Sequence, residues 1–305
     1  MSVARPSALA VGVFDGLHLG HVEILAGCLA RAREKGTRAV VVSFDPHPDV
    51  VLAKSFQPVA PLTPIPEKRE RMRAMGIDEL EVLPFTRELA GLSPEEFVDQ
   101  NLVRPYAPHA LVVGADFALG RGRAGNVARL GEIGRTSGFE VIAVPLVQIE
   151  GAAVTSTGIR ELLNAGRVAE AARWLGRRYT LDGTVVSGDG IGRTLGFPTA
   201  NLRLGEDKFV PADGIYAVWV RIEDDPASLA GAMSIGVRPT FGGQVRTLEV
   251  HVLDWKGDLV GQRVTVEFVD WLRPERFFEG PAELSVAMRG DVAEVRRRLA
   301  LAPAT

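Results

Sequence analysis

Short apolar runs alternate with helix-spaced apolar residues through the first half of the chain. Each run is nearly continuous, as in a strand whose two faces are both buried. The runs cover residues 8–14, 39–44, 80–83, 110–113 and 141–147. Helical spacing between them covers residues 21–35, 65–75, 94–102 and 124–137. The alternation predicts an α/β domain, a doubly wound parallel sheet with helices on both faces.

The pattern changes in the second half of the chain. Two short helices are predicted within residues 159–179, and short β-rich runs follow, separated by turns that contain Gly, Asp or Pro. The runs cover residues 184–186, 215–222, 231–235, 247–253 and 263–268. Such a succession predicts a closed antiparallel β-barrel, and helical spacing over 281–301 predicts a terminal helix. We place the boundary near residues 177–183, which gives domains of residues 1–180 and 181–305.

Length and composition narrow the functional classes. The chain has 305 residues, and a single core stops growing at roughly 250–300 residues, which supports two domains. A net charge of −3 provides no overall attraction to nucleic acid or to a membrane surface. The single cysteine, Cys28, cannot form an internal disulfide, and no apolar run reaches the ~18 residues of a membrane span. No signal segment precedes the first strand, and we expect a cytoplasmic protein that binds neither nucleic acid nor membranes.

Residues 11–21 carry the strongest chemical signal. Asp15 and Gly16 follow the first apolar run, and His18 and His21 flank Gly20 where the first helix is predicted to begin. A helix N-terminus attracts anions, and two imidazoles there can donate hydrogen bonds to phosphate oxygens. The alternative is that the histidines only cap the helix. Because two of five histidines share this turn, we favour a site that stabilises charge during nucleotidyl transfer.

Two other turns follow predicted strands. Pro46 and Pro48 fix the backbone around His47, which either forms a ligand wall or belongs to a structural turn. Asp116, with Phe117 next to it, follows a later strand and can orient a ligand amide or hydroxyl. The loop 120–125 beyond it holds three glycines and two arginines, which is typical of an anion-contacting loop or of a solvated surface loop.

Residues 155–160 begin a further helix. Ser156 and Thr157 are good N-terminal capping residues, and capping alone explains much of this segment. Arg160 is less well explained, since a cation near a helix N-terminus is disfavoured unless an anion is also present. We therefore expect Arg160 to contact the triphosphate of a nucleotide.

In order and spacing these motifs resemble the adenylyl-transferring half of the bacterial riboflavin kinase/FAD synthetases. They read Gly-x-Phe-Asp-Gly-x-His-x-Gly-His, Phe-x-Pro-His-Pro, Gly-x-Asp-Phe with a Gly/Arg loop, and Ser-Thr-x-Ile-Arg. The resemblance implies a Rossmann-like nucleotidyltransferase domain in which FMN attacks the α-phosphate of ATP, giving FAD and pyrophosphate, with Mg²⁺ assisting. It implies that His18 and His21 stabilise the α-phosphate and the leaving pyrophosphate, and that Arg160, Ser156 and Thr157 hold the β- and γ-phosphates. The further implied residues are Gly12, Phe14, Asp15, Gly16 and Gly20 for ATP, and Asp116, Phe117 and His47 for the flavin.

Residues 188–201 form a second dense motif. Gly188, Gly190, Gly192 and Gly196 either allow a phosphate chain to approach the backbone or form a glycine-rich β-turn. No Gly-Lys-Ser/Thr follows, so this is not a Walker loop. Thr199 and Asn201 carry a hydroxyl and an amide oxygen on a proline-fixed turn, and such hard ligands suit Mg²⁺.

The whole segment resembles the riboflavin kinase signature Gly-Arg-x-Leu-Gly-Phe-Pro-Thr-Ala-Asn, and residues 211–218, 235–241 and 249–255 resemble that family too. The resemblance implies that Glu249 is the general base for the riboflavin 5′-hydroxyl, and that Thr199 and Asn201 hold Mg²⁺ and phosphates. It adds Arg193 and the four glycines to the ATP site, and Arg238 to the flavin site. Four positions depart from the usual family pattern: Ser234, Val260, Ala287 and Met288.

Together the two resemblances imply a bifunctional enzyme that converts riboflavin to FMN and FMN to FAD, with ATP as co-substrate of both steps. One alternative is a single-activity FMN adenylyltransferase with a weakened kinase domain. Another is a nucleotidyltransferase for a different phosphate, which would leave residues 188–201 unexplained. A non-enzymatic flavin-binding or RNA-binding regulator is the third, and it is disfavoured by the intact candidate catalytic groups and the slightly acidic chain.

Overall fold

The computed structural model describes residues 5–52, 60–188, 191–205, 207–223, 225, 227–240 and 243–300. Residues 191, 238–240 and 243–245 are described by their backbone only. The chain divides into two compact units, Met1–Ser156 and Thr157–Thr305.

The first unit contains a main parallel sheet, two small β-ribbons and helices. Its strands are β1 (Ser7–Val11), β2 (Arg38–Asp45), β3 (Glu79–Pro84), β4 (Pro108–Gly114), β5 (Ala118–Leu119), β6 (Gly125–Asn126), β7 (Glu140–Val144), β8 (Gln148–Ile149) and β9 (Ala152–Ala153). Its helices are α1 (Leu19–Lys35), α2 (Pro48–Leu52), α3 (Ile65–Ala74), α4 (Arg87–Gly91), α5 (Pro94–Val98), α6 (Arg104–Tyr106) and α7 (Val127–Ser137). A π-helical turn, Asp99–Val103, joins α5 to α6, and a 3-10 turn covers Arg121–Arg123.

The five strands of the main sheet are parallel and lie in the order β3-β2-β1-β4-β7. Alternate residues of β1 enter two cores, because Leu9 and Val11 pack with side chains of α5 and α7, and Ala8 and Ala10 pack with those of α1 and α3. The predicted doubly wound sheet is therefore confirmed. Strand order reverses between β1 and β4, and the crevice at the carboxyl ends of two such strands is where ligands bind in these sheets.

In the described part of the second unit, six strands form a closed barrel and four helices accompany it. Its strands are β10 (Thr180–Val186), β11 (Ala200–Leu204), β12 (Gly214–Ile222), β13 (Ser228–Thr240), β14 (Gly243–Val252) and β15 (Arg263–Arg273). Its helices are α8 (Ser156–Asn164, which begins at the last residue of the first unit), α9 (Val168–Leu175), α10 (Ile191–Thr194) and α11 (Pro281–Ala300).

The barrel closes in the order β10-β11-β14-β13-β12-β15, and every neighbouring pair is antiparallel. Terminal helix α11 packs its Val295 and Leu299 against Ala217 of β12. The predicted antiparallel barrel with a terminal helix is confirmed.

Strands β1 and β11 differ from what the sequence predicted. Strand β1 ends at Val11, not at residue 14, because Phe14 has a φ of 51° that a strand does not accommodate. Phe14 is nevertheless buried, which explains why its apolar character looked like strand. Strand β11 was not predicted, although the polar Asn201 and Arg203 alternate with its apolar residues as in a half-buried strand.

Helices α8 and α9 lie between the sequence-derived boundary near 177–183 and the structural division at residues 156/157. Both belong to the barrel unit, and a Cβ on Gly166, between them, would lie 2.9 Å from Trp271 Cδ1 of β15. Where the two functional domains meet stays a prediction.

The barrel core supplies a stability prediction. Phe268 is fully buried against Tyr216, with ring centroids 5.1 Å apart, whereas Phe277 is 92% exposed. Phe268→Ala should lower the free energy of unfolding by about 3–5 kcal/mol, because it leaves a cavity in a packed core. Phe277→Ala is the matched control and should change it by less than about 0.5 kcal/mol. All four tryptophans lie in the barrel unit, at 174, 219, 255 and 271, so urea unfolding followed by tryptophan fluorescence reports on this unit.

Candidate active sites

The two histidines of the first turn are held together at the start of α1. His18 is the N-cap residue, and its Nδ1 accepts a hydrogen bond from the His21 backbone N–H at 3.4 Å. The imidazole rings stack, with centroids 3.6 Å apart and planes 19° apart, and the Phe14 ring meets the His21 ring edge-on. Since Nδ1 of neutral His18 is an acceptor, its proton lies on Nε2, a nitrogen that can donate to a phosphate oxygen. His18 thus caps the helix and also presents a donor at its N-terminus.

The glycines of this turn have a local role. A Cβ on Gly20 would lie 3.2 Å from Cε1 of the His18 ring, so a side chain there would press on that imidazole. Gly12 allows the Phe14 ring to approach in the same way, and Gly16 has a φ of 86° that favours glycine. Their predicted contact with a phosphate chain stays a prediction.

Asp15 and Ser156 bind the protein's own main chain. The Asp15 carboxylate, 3% exposed, accepts hydrogen bonds from the backbone N–H groups of Leu62 at 3.2 Å and Thr63 at 3.1 Å. The Ser156 hydroxyl donates to the Asp15 carbonyl oxygen at 2.8 Å. Both residues therefore hold the histidine turn in place, and a direct phosphate contact stays a prediction for each.

The predicted flavin residues of the first unit follow β2 and β4. Asp116 follows β4, at the topological switch beside the histidine turn, and its carbonyl oxygen accepts a hydrogen bond from Arg123 of the Gly/Arg loop at 3.1 Å. Phe117 packs against one core of the sheet. His47 follows β2, and its Nδ1 accepts from the Asp49 backbone N–H at 3.1 Å. His47 thus belongs to a structural turn, and its role as a ligand wall stays a prediction.

Thr157 and Arg160 lie in the second unit, on α8. The Arg160 guanidinium lies over the Phe209 ring, with Cζ 5.9 Å from its centroid. The contact of both residues with a triphosphate stays a prediction.

Glu249, Thr199 and Asn201 come together in the barrel. Glu249 of β14 lies opposite Asn201 of β11 and opposite Ser234 of β13. The Thr199 hydroxyl donates a hydrogen bond to Glu249 Oε2 at 3.0 Å. His251, two residues along β14, hydrogen-bonds the Pro198 carbonyl oxygen through Nδ1 at 2.8 Å, which ties the Pro-Thr turn to the same strand. The barrel register thus brings the Glu249 carboxylate to a hydroxyl and an amide that lie far from it in sequence.

Two cavities meet at these residues. One has a volume of about 270 Å³ and contains Glu249, and the other has a volume of about 400 Å³ and contains Arg193. Thr199 and Asn201 line both cavities. Small-molecule sites are typically ~300–1,000 Å³, so each cavity can hold part of a ligand. A group transferred from a ligand in one cavity to a ligand in the other would pass Thr199 and Asn201.

The glycines of the second motif shape the protein itself. A Cβ on Gly188 would lie 2.0 Å from Asn201 Nδ2, and one on Gly192 would lie 2.3 Å from the Phe197 carbonyl oxygen. Gly196 has a φ of 85° in the turn before Phe197. Gly190 lies outside the described residues. Arg238 lies on β13 opposite Val245, and its side chain also lies outside the described part.

The lining of the first cavity that comes from β15 and α11 was not predicted from the sequence. Arg273 of β15 donates two hydrogen bonds to the Asp291 carboxylate of α11, at 2.8 and 2.7 Å, and both residues line that cavity. Glu275 accepts from the Ser234 hydroxyl at 2.9 Å. Nothing local in the sequence pairs these residues, because only barrel closure and the docking of α11 bring them together. Of the four departures from the family pattern, Ser234 and Met288 line the first cavity, Val260 lines the second, and Ala287 is buried.

Comparison with known proteins finds the same two-part organisation. A family model described as FAD synthetase matches residues 1–158, and one described as riboflavin kinase matches residues 175–299. A bifunctional riboflavin kinase/FMN adenylyltransferase of Pseudomonas fluorescens is 39% identical, over 96% of this chain and 93% of that protein. One of the same name from Listeria monocytogenes is 37% identical, over 94% of this chain and 91% of that protein.

A solved structure is similar over nearly the whole chain. This crystal structure of a Streptococcus pneumoniae protein, described as a macrolide-efflux protein, has a TM-score of 0.88 and 30% identity, covering 95% of this chain and 94% of that one. Among the residues described here, no helix is long and apolar enough to cross a membrane.

The Asp15 carboxylate provides a prediction for the histidine turn. Asp15→Asn leaves one acceptor oxygen for two backbone donors and should lower the free energy of unfolding of the first unit by about 1–3 kcal/mol. Hydrogen exchange should become faster at the Leu62 and Thr63 amides, and mass spectrometry of peptides over 60–68 would measure it. Asp78→Asn is the control, because Asp78 accepts from the Ala39 N–H at 2.8 Å. That variant should leave exchange at 62–63 unchanged, and equal acceleration in both variants would contradict this role of Asp15.

Proposed function

Since the chain belongs to the family of bifunctional riboflavin kinase/FMN adenylyltransferases, we propose which residues perform each of the family's two reactions. The chain is a riboflavin kinase and an FAD synthetase, with ATP and flavins as substrates. Residues 175–299 match the kinase and residues 1–158 match the adenylyltransferase. FMN made by the first reaction is the substrate of the second.

The contact between Thr199 and Glu249 carries the kinase assignment. In this proposal riboflavin occupies the cavity that contains Glu249, and ATP occupies the cavity that contains Arg193. Glu249 takes the proton from the 5′-hydroxyl as that oxygen attacks the γ-phosphorus, and ADP leaves with the electron pair of the broken P–O bond. The Thr199 hydroxyl orients the carboxylate through its hydrogen bond to Oε2.

The donor set at the junction fits Mg²⁺. Thr199 and Asn201 provide a hydroxyl and an amide oxygen where the two cavities meet, beside the Glu249 carboxylate. Hard oxygen donors of this kind suit Mg²⁺, which keeps waters and binds substrate phosphates in addition to a few protein ligands. When bound, the ion would neutralise charge on the phosphate oxygens. Among the described residues there is no cluster of three His, Cys, Asp or Glu side chains that could hold a metal ion.

For adenylyl transfer we assign charge stabilisation to the histidine turn. A phosphate oxygen of FMN attacks the α-phosphorus of ATP, and pyrophosphate leaves as the bond to the β-phosphate oxygen breaks. His18 Nε2–H and the His21 imidazole donate to the oxygens that gain charge, and the N-terminus of α1 adds its backbone N–H groups. Asp116 orients the flavin at the topological switch.

We also propose a cytoplasmic location. The lone Cys28 is buried, and burial raises the pKa of its thiol to about 12, so it stays protonated and unreactive. Both reactions consume ATP, which fits a location inside the cell.

The direct test incubates pure protein with riboflavin, ATP and Mg²⁺ and separates the flavins by chromatography. FMN should appear first and FAD should follow. FMN that accumulates without FAD would leave only the kinase, and FAD made only from supplied FMN would leave only the adenylyltransferase. If neither flavin changed, both assignments would be wrong.

Two variants should separate the two sites. Glu249→Gln removes the proposed base and should lower kcat for FMN formation by about 10²–10⁴-fold, while FAD formation from supplied FMN persists. His21→Ala should do the reverse, lowering kcat for FAD formation by about 10²–10³-fold with FMN formation intact. Both rates are measured by chromatography on each variant.

Matched controls exist for both variants. Glu267→Gln replaces a barrel glutamate that pairs with Arg178 and Arg221, and His109→Ala replaces a histidine that pairs with Thr37. Both controls should keep both activities. Loss of both activities in a folded Glu249→Gln or His21→Ala protein would refute the assignment of separate sites.

A further inference from the structure

Lys68 of α3 is a buried lysine next to the histidine turn. Its side chain is almost fully buried, with the residue 3% exposed. Its Nζ donates hydrogen bonds to the Val13 carbonyl oxygen at 2.7 Å and to the Ser43 hydroxyl at 3.4 Å. The Ser43 hydroxyl donates to the same Val13 carbonyl at 3.0 Å. Lysine is almost never fully buried unless it is paired, so this position calls for an explanation.

A contribution to the stability of the fold does not by itself explain a charged Lys68 side chain at this buried position. Burial lowers the pKa of Lys68, and the charges of Asp15 and Asp45 oppose that shift only in part. Taking an ammonium group out of water is costly, and an apolar side chain of similar volume often packs at least as well. What an apolar side chain could not do is donate to the Val13 carbonyl.

That carbonyl lies in the segment that leads to both histidines. Phe14 and Leu17 have φ angles of 51° and 43°, in the left-handed region that non-glycine residues rarely adopt. Such a backbone persists only where the surrounding structure determines it. On one side the Asp15 carboxylate accepts from the Leu62 and Thr63 amides, and on the other Lys68 donates to Val13. Residues 62–68 therefore bind the turn at two points, the main-chain carbonyl of Val13 and the side-chain carboxylate of Asp15.

We propose that Lys68 is a positioning residue for adenylyl transfer: it holds the Val13 carbonyl and thereby sets where His18 and His21 meet the α-phosphate. The assignment deepens the proposed function of the first unit and rests on it. Lys68 touches the main chain of the turn, so its effect reaches the phosphate only through the two histidines.

The test replaces Lys68 by Met, which keeps much of the volume and removes the donor. The kcat for FAD formation from FMN should fall by about tenfold to a hundredfold, because a misplacement of about 1 Å can cost that much. The KM for FMN should stay within about threefold, and FMN formation from riboflavin in the same protein should stay within about twofold.

A second readout does not depend on activity. The chain has five histidines, at 18, 21, 47, 109 and 251, so their ring signals can be resolved by NMR. Lys68→Met should shift the signals of His18 and His21 and leave that of His109, on β4, in place. If Lys68 contributed only to stability, all of these signals would stay unchanged in the folded protein.

Arg69→Met is the matched control. Arg69 lies on the same helix and donates to the Leu80 carbonyl at 3.0 Å, a bond to a main-chain carbonyl of strand β3 and not of the turn. It should leave both kcat for FAD formation and the two ring signals unchanged. Lys68→Gln, which is shorter and polar, serves as a second variant if Lys68→Met fails to fold.

The outcomes are distinct. The proposal is overturned if folded Lys68→Met or Lys68→Gln protein keeps kcat within twofold, or if the His18 and His21 signals stay in place. It is also overturned if both variants lose the His109 signal, since Lys68 would then serve the fold of the whole unit. If the unmodified protein made no FAD, the proposed function would fail, and the ring signals would still decide whether Lys68 positions the turn.

Discussion

In the first unit, the main chain must leave a buried central strand and enter α1 within residues 12–18, and the site depends on how that turn is held. Phe14 and Leu17 take left-handed conformations, which cost roughly 1–2 kcal/mol per residue. Hydrogen bonds from Lys68, Ser43 and Ser156 to carbonyls of the turn, and from Leu62 and Thr63 to Asp15, hold it there. Because this segment ends at His18, the anchored main chain sets the positions of both imidazoles.

In the second unit, strand register positions the candidate site residues. Antiparallel pairing places Glu249 opposite both Asn201 and Ser234, and the Pro-Thr turn is tied to β14 through His251 and Glu249. The candidate groups Asn201 and Glu249 of the barrel therefore lie on paired strands, whereas the candidate histidines of the first unit lie at a helix N-terminus. The two proposed phosphate sites thus have different structural supports.

Glycines in both motifs illustrate how a pattern can mark a site before its physical reason is known. Gly20 leaves space for the His18 ring, and Gly188 leaves space for the Asn201 amide. The sequence interpretation assigned these positions to the approach of a phosphate chain. The structure adds a reason that holds without any ligand, since a Cβ at either position would press on a neighbouring candidate site residue.

The sequence by itself determined the two architectures and the motifs that contain the candidate site residues. The near-continuous apolar runs predicted the parallel sheet, the successive short runs predicted the barrel, and the motifs located His18, His21, Thr199 and Glu249. Such features are local, because periodicity, turn residues and motif spacing are read within a few residues. Only the tertiary structure decided that β1 stops at Val11, that Arg273 pairs with Asp291, and that Lys68 reaches Val13. Each of these depends on packing between segments far apart in the chain, and no local pattern encodes which buried partner a side chain will meet.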